Sequence, residues 1–145
     1  MKAKKNYLMR RRSGFTLIEI MVVVVIICLL AALVVPRIGP QLAEAQRTAT
    51  RTQIKSIEDA LEMYRMHNGF YPSTQQGLEA LVTAPTTSPV PKHYQDGGYL
   101  KKVPEDSWGN PFVYRNQNGR ITITSYGPDG EEGGEGVNAD ITNED

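Results

Sequence analysis

Residues 15–35 read FTLIEIMVVVVIICLLAALVV, opening on Phe15 and holding a single charged residue, Glu19. With no glycine or proline to break it, the stretch predicts a helix of about 31 Å, close to the hydrocarbon thickness of a bilayer. Six basic residues precede it (Lys2, Lys4, Lys5, Arg10, Arg11 and Arg12), and no acid does. A basic front before an apolar run stays on the cytoplasmic side, so residues beyond the run are expected on the opposite face. A secretory signal peptide shares the basic start, but its apolar core is shorter and ends at a small-x-small cleavage site. Here Ala31-Ala32-Leu33 continues into more apolar chain and then Pro36, which argues against that reading.

Glu19 is the anomaly of the run. A charge within a membrane span costs roughly 2.5–3.5 kcal/mol on insertion scales. Either it lies near the membrane surface, or protonated, and has no role, or it finds a cationic partner in an assembly. A cut before Phe15 would create an amino group one helical turn from this carboxylate, and a neighbouring copy's amino terminus could neutralise it.

Downstream the pattern turns amphipathic. Ile38, Leu42, Ala45, Ala49, Ile54, Ile57, Leu61 and Tyr64 recur at steps of three to five residues and form one apolar stripe, expected to pack on its own domain. Gln46, Arg47, Arg51, Lys55, Glu58, Asp59 and Glu62 form a mixed polar face rather than a binding patch. Pro36, Gly39 and Pro40 predict a kink or a locally unwound stretch at the join, and Asn68-Gly69 predicts the stop.

Past the stop, residues 74–82 predict a short helix with Leu78, Leu81 and Val82 inward. Residues 84–91 read as a loop, and Gly97-Gly98 and residues 104–111 as turns. Residues 112–115 and 121–126 around Asn118-Gly119 predict an antiparallel hairpin. Trp108, Tyr71 and Tyr126 are read as packing residues rather than binding platforms. The expected fold class is α+β, a long helix packed by a small antiparallel sheet.

The formal net charge is zero, an average over a polarised chain. Residues 15–145 carry ten basic and sixteen acidic residues, and the last seventeen, from Asp129, hold seven acids and no base. An acidic tail argues against nucleic acid as a partner. Cys28 is the only cysteine, so an intramolecular disulfide is excluded and a thiolate metal site disfavoured. A small domain outside the cytoplasm without disulfides needs another staple. His67 and His93 stand in no ligand or nucleophile pattern, no phosphate-binding glycine loop occurs, and no enzyme is expected.

Arg10-Arg11-Arg12-Ser13-Gly14-Phe15-Thr16-Leu17-Ile18-Glu19 resembles the leader junction of type IV pilins and pseudopilins. The resemblance implies cleavage after Gly14, methylation of the new amino terminus at Phe15, and an assembly role for Glu19. Further stretches are similar to the major pseudopilins of type II secretion systems: Met63-Tyr64, Tyr71-Pro72, residues 76–82, residues 97–100, residues 106–111 and residues 125–130. It implies a pilin-like fold in four segments: a cleaved leader (1–14), a membrane and filament-core helix (15–35), an amphipathic half (36–68) and a globular periplasmic region (69–145). The implied function is a structural subunit of a periplasmic filament that drives export of folded proteins. The implied partners are further copies of the chain, minor pseudopilins, the prepilin peptidase, the inner-membrane assembly platform and the lipid bilayer. The alternative is a type IV pilus major subunit, a class that commonly carries a C-terminal disulfide loop this chain cannot form.

By chemistry alone, residues 126–140 are a glycine-rich, oxygen-rich stretch that reads first as a solvated acidic tail. The resemblance implies instead a calcium site that holds the C-terminal segment on the sheet. Asp129 and Asp140 carry over as carboxylate ligands, Tyr126 and Val137 as carbonyl ligands, and Asn138 as an amide at a position where some relatives carry an acid. Glu131, Glu132 and Glu135 are left to solvent.

Overall fold

A computed structural model describes residues 14–145, with the side chains of residues 34–38 outside that description. The basic leader through Ser13 and the side chain of Ile38 therefore lie outside the described residues. The chain divides into two compact units, Met1–Gly39 and Pro40–Asp145.

The element order is a long helix α1 (Leu17–Asn68), a short 3-10 turn (Leu78–Leu81), strands β1 (Val113–Gln117) and β2 (Arg120–Ser125), a second 3-10 turn (Gly136–Asn138), and strand β3 (Ile141–Thr142). The helical backbone runs unbroken through Pro36, Gly39 and Pro40. The locally unwound form of the expectation at that join is thus corrected. Each proline removes one hydrogen bond, and the remaining bonds of the helix carry the turn. At the other end Gly69 N–H donates to the Arg65 carbonyl at 2.7 Å, and the helix stops where Asn68-Gly69 predicts.

In the unit Pro40–Asp145, Ile54, Ile57, Ala60, Leu61 and Tyr64 of α1 form one wall of the core, met by Leu78, Ala80, Leu81, Phe112, Tyr114, Ile123 and Ile141. The stripe expectation holds from Ile54 onward and fails above it. Leu42, Ala45 and Ala49 are exposed, while Thr50 is buried and Ala43, Gln46 and Arg47 are half-buried. The physical reason is that the upper turns of this face meet polar partners. Thr50 Oγ1 donates to Ser107 Oγ at 3.0 Å, and Arg47 reaches carbonyls of the C-terminal loop.

The sheet order is β1-β2-β3, all antiparallel. The hairpin is as predicted: Val113 pairs with Thr124 and Gln117 with Arg120. Asn118 (φ 54) and Gly119 (φ 90) both take positive φ, as a two-residue hairpin turn of this hand requires. β3 was not foreseen. Ser125 pairs with Ile141, whose side chain is fully buried. Asn143 Oδ1 then accepts from Ile123 N–H at 2.8 Å, while its amide donates to Glu58 Oε1 on α1 at 3.0 Å. The predicted helix of residues 74–82 contracts to Leu78–Leu81, with Leu78, Ala80 and Leu81 buried.

Residues 104–111 form more than a turn. Asp106 is buried. Its Oδ1 accepts from Trp108 N–H (3.0 Å) and Asn110 N–H (2.8 Å), and its Oδ2 accepts from the Ser125 hydroxyl (2.6 Å). Three donors thus meet the two oxygens of one buried side chain and tie the 104–111 turn to β2. Trp108 packs, half-buried, against the core.

Candidate functional site

The described front of the chain presents Gly14 and Phe15 to solvent, Phe15 being 78 % exposed. Thr16 caps α1. Its Oγ1 accepts from Glu19 N–H at 3.2 Å, and its carbonyl accepts from Glu19 N–H and Ile20 N–H. This is one half of a capping box, a Thr followed three residues later by Glu. Glu19 lies in the first turn, where a carboxylate complements the positive end of the helix. Among the described residues no side chain pairs with it.

From Phe15 to Leu33 no described side chain is buried, and the large hydrophobics are 47–80 % exposed. A helix apolar on every side cannot be satisfied by packing one face on its own domain. Among the described residues no helix is long and apolar enough to cross a membrane, the described side chains of this run ending at Leu33.

At the other end, residues 126–140 form a loop that closes on itself. Asp140 N–H donates to Gly133 O (3.2 Å), and Gly133 N–H donates to Asp140 Oδ2 (2.9 Å). A side chain on Gly134 would meet the Asn138 carbonyl, and one on Gly127 would lie 3.5 Å from that same oxygen. The turn after Tyr126 is thereby placed beside residues 138 and 139. Asn110 Nδ2 ties the Gly127 carbonyl down at 3.0 Å. The structure thus brings Asn138 and Asp140 to the Gly127 and Gly133-Gly134 turns. Asp129 is exposed and held by its own turn, its Oδ1 accepting from Glu131 N–H at 3.3 Å. The Val137 side chain is exposed, and its carbonyl faces Arg47 Nη1 at 3.4 Å.

One atom in the loop is anomalous. Asp140 Oδ1 is buried and has no hydrogen-bond donor. A buried carboxylate oxygen without a partner costs more than a neutral one, so it calls for a cation or a donor. Among the described residues no three His, Cys, Asp or Glu side chains gather. Any cation here would rest on one or two carboxylates and on amide and carbonyl oxygens. That donor set suits a hard, oxygen-seeking ion of calcium's kind and not a soft one.

Sequence reasoning missed Thr50, Asp106, Ser125, Arg47 and Asn143 as the polar fasteners of this unit. Thr50 and Arg47 had a signal, since they lie one or two turns before Ile54 on the helix, but polarity hid them. His67 Nδ1 lies 3.2 Å from the Tyr99 hydroxyl, and His93 N–H donates to Asn68 Oδ1.

Comparison with known proteins locates both ends. A family model described as type II secretion system (T2SS), protein G, matches residues 37–144. The prokaryotic N-terminal methylation motif matches residues 9–35, a stretch that includes Gly14, Phe15 and Glu19. The type II secretion system core protein G of Pseudomonas aeruginosa is 54 % identical over 138 residues, covering 94 % of this chain and 97 % of that protein. The core protein G of Vibrio cholerae is 49 % identical, covering 93 % of each. A crystal structure of the major pseudopilin from the type 2 secretion system of enterohaemorrhagic Escherichia coli superposes with a TM-score of 0.64 at 38 % identity, covering 74 % of this chain and 92 % of the other. The chain belongs to the type II secretion system protein G family.

Proposed function

We propose that this chain is the precursor of the main structural subunit of a type II secretion pseudopilus. The observation that carries the reading is an all-round apolar helix followed in the sequence by a domain of the protein G family. That arrangement supports the pseudopilus over a type IV pilus.

The prepilin peptidase cuts after Gly14, and Phe15 becomes the methylated amino terminus. The apolar run rests first in the inner membrane as a single span, with the C-terminal unit in the periplasm, and is then drawn into a filament of like chains. Burial of about 25 cal/mol per Å² of apolar surface against neighbouring copies holds the filament together. In the second unit the exposed Leu42, Ala45 and Ala49 offer apolar surface of their own to neighbouring copies. Glu19 pairs with the amino group of Phe15 on an adjacent copy and fixes the register. Minor pseudopilins and an inner-membrane assembly platform are the further partners, and growth of the filament drives folded proteins outward.

The C-terminal loop takes calcium through Asp140 and Asp129, the Asn138 amide, and the Tyr126 and Val137 carbonyls. Bound calcium supplies the positive charge that draws these oxygens together. Asp140 offers its unpartnered Oδ1, while Gly133 N–H holds its Oδ2 in place. β3 and Asn143 fasten the segment that follows.

The test is assembly in cells that carry the secretion machinery. Mass spectrometry of the wild type is expected to give a chain starting at a methylated Phe15, with filaments visible by electron microscopy. Glu19→Ala is expected to be inserted and processed normally and to form no filaments. Filaments of normal yield from Glu19→Ala would sink the register role, and an uncut chain would sink the processing scheme.

A further inference from the structure

By its sequence pattern Arg47 belongs on the solvent face of α1, beside Gln46 and Arg51. The structure half-buries it and points its guanidinium at the C-terminal loop. Nη1 donates to the Ala139 carbonyl at 2.7 Å and lies 3.4 Å from the Val137 carbonyl. The loop and its margin carry Asp129, Glu131, Glu132, Glu135 and Asp140, yet no ion pair joins Arg47 to any of them among the described residues. An arginine that bypasses nearby carboxylates for main-chain oxygens is orienting a backbone, not neutralising a charge.

The oriented peptide is the one that leads into Asp140. Its oxygen, on Ala139, is held by α1 through Arg47. Its N–H, on Asp140, is held by the Gly133 carbonyl at 3.2 Å. The plane is thus pinned at both ends. Gly133 N–H also holds Asp140 Oδ2 at 2.9 Å, and with the carboxylate in that position Oδ1 is buried without a donor. An ammonium group could not replace the guanidinium equally, because the guanidinium is planar and fixes the directions of its N–H groups, whereas an ammonium at the end of a flexible stem rotates freely and orients its acceptor less.

We propose that Arg47 is a positioning residue for Asp140, which makes the loop's affinity for a divalent cation depend on its attachment to α1. This rests on the calcium reading given above. The sign of the effect decides the matter. If Arg47 acted only as a charge near the loop, removing it would relieve repulsion and tighten cation binding. As a positioning residue, its removal loosens Asp140 and weakens binding despite the relief.

The experiment uses the full chain in detergent micelles, with calcium as the probe, and compares wild type, Arg47→Ala and Arg47→Lys. Alanine is the best helix former, so α1 itself is not weakened by the first variant. Lysine keeps the charge and loses the fork. Calcium affinity is expected to fall about ten- to a hundredfold in Arg47→Ala, with Arg47→Lys between it and wild type, as for other residues that orient a metal ligand. In chelator, hydrogen exchange at the Gly133 and Asp140 amides is expected to quicken in Arg47→Ala, with amides of Ile57 and Leu61 unchanged. Tighter calcium binding in Arg47→Ala, or unaltered exchange at Gly133 and Asp140, overturns the proposal. A wild type that binds no calcium removes the cation reading and, with it, the affinity half of the proposal. The exchange measurement then still shows whether Arg47 holds Asp140.

Discussion

Each unit of the chain contains a carboxylate in apolar company, and the two are treated in opposite ways. Asp106, buried in the unit Pro40–Asp145, has three donors from its own turn and from Ser125. Glu19, in the unit Met1–Gly39, meets only its own helix start among the described residues. The apolar side chains divide the same way. Leu61 is fully buried, whereas Leu30 is 57 % exposed. The second unit covers the apolar side chains of its core and supplies the donors of the Asp106 carboxylate from within. Among its described residues the first unit leaves both open, and apolar surface left open in water favours association with other apolar surface.

The sharpest way to break that contrast is to make one substitution in both places. Leu61→Ala empties a filled site and is expected to cost about 2–5 kcal/mol of folding stability, read by urea denaturation of the full chain in micelles. Leu30→Ala removes an exposed side chain and is expected to leave the same midpoint in place. A comparable loss from Leu30→Ala would show that the apolar helix is part of the folded core.

The two carboxylates provide the next comparison. Asp106→Ala strands the N–H groups of Trp108 and Asn110 and the hydroxyl of Ser125, at a cost of roughly 2–4 kcal/mol. Asp106→Asn keeps an acceptor and is expected to lose less. Glu19→Ala is expected to leave the denaturation midpoint of this unit unmoved, whatever it does to assembly. Equal midpoints for wild type and Asp106→Ala would mean that water replaces the carboxylate and the network is not a fastener.

The parts legible in the sequence are those set by short-range rules. The apolar run, the Asn68-Gly69 stop and the Asn118-Gly119 hairpin follow from composition, periodicity and turn chemistry within a few residues. Parts that failed depend on contacts between distant positions. Leu42, Ala45 and Ala49 keep helical spacing with Ile54 and Leu61, yet the buried face of the upper turns is formed by Ala43, Gln46, Arg47 and Thr50. Hydrophobicity alone cannot reveal that this end of the helix faces a polar loop. β3 spans two residues, too few for any alternation to show. In the candidate site, the leader junction was legible as a motif. The pinning of Asp140 from α1 was not, because residues 47 and 139 share no local signal.

Tyrosine titration probes the closed unit more gently. Burial pushes the Tyr64 hydroxyl up to about 12 and raises Tyr114 further, both from an ordinary value of 10.0. The unfolded chain therefore loses these protons first. The stabilisation from these groups is full below pH 10 and declines as the pH rises from there toward 12. Denaturation midpoints across that window are expected to fall, less so in Tyr64→Phe. The apolar helix carries no tyrosine between Phe15 and Val35 and should not respond. A flat profile would show that the phenols remain open to water.

The smallest expected effect compares two glycines of nearly equal φ within this unit. Gly119 (φ 90) has nothing within 4 Å of where a side chain would begin, and Gly134 (φ 86) has the Asn138 carbonyl carbon 3.0 Å away. Gly119→Ala meets only the backbone strain of the left-handed region and is expected to cost about 1 kcal/mol. Gly134→Ala adds a collision with main chain, which cannot rotate away as a side chain can. It must therefore push residue 138 outward and disturb Asp140 two residues on. The two variants separate cleanly in chelator. Gly119→Ala should lower the midpoint slightly with no change in exchange at Asp140, and Gly134→Ala should quicken that exchange more than it lowers the midpoint. If Gly134→Ala behaves like Gly119→Ala, the loop is loose enough to absorb a methyl group, and the close approach of Gly134 to Asn138 does not constrain Asp140.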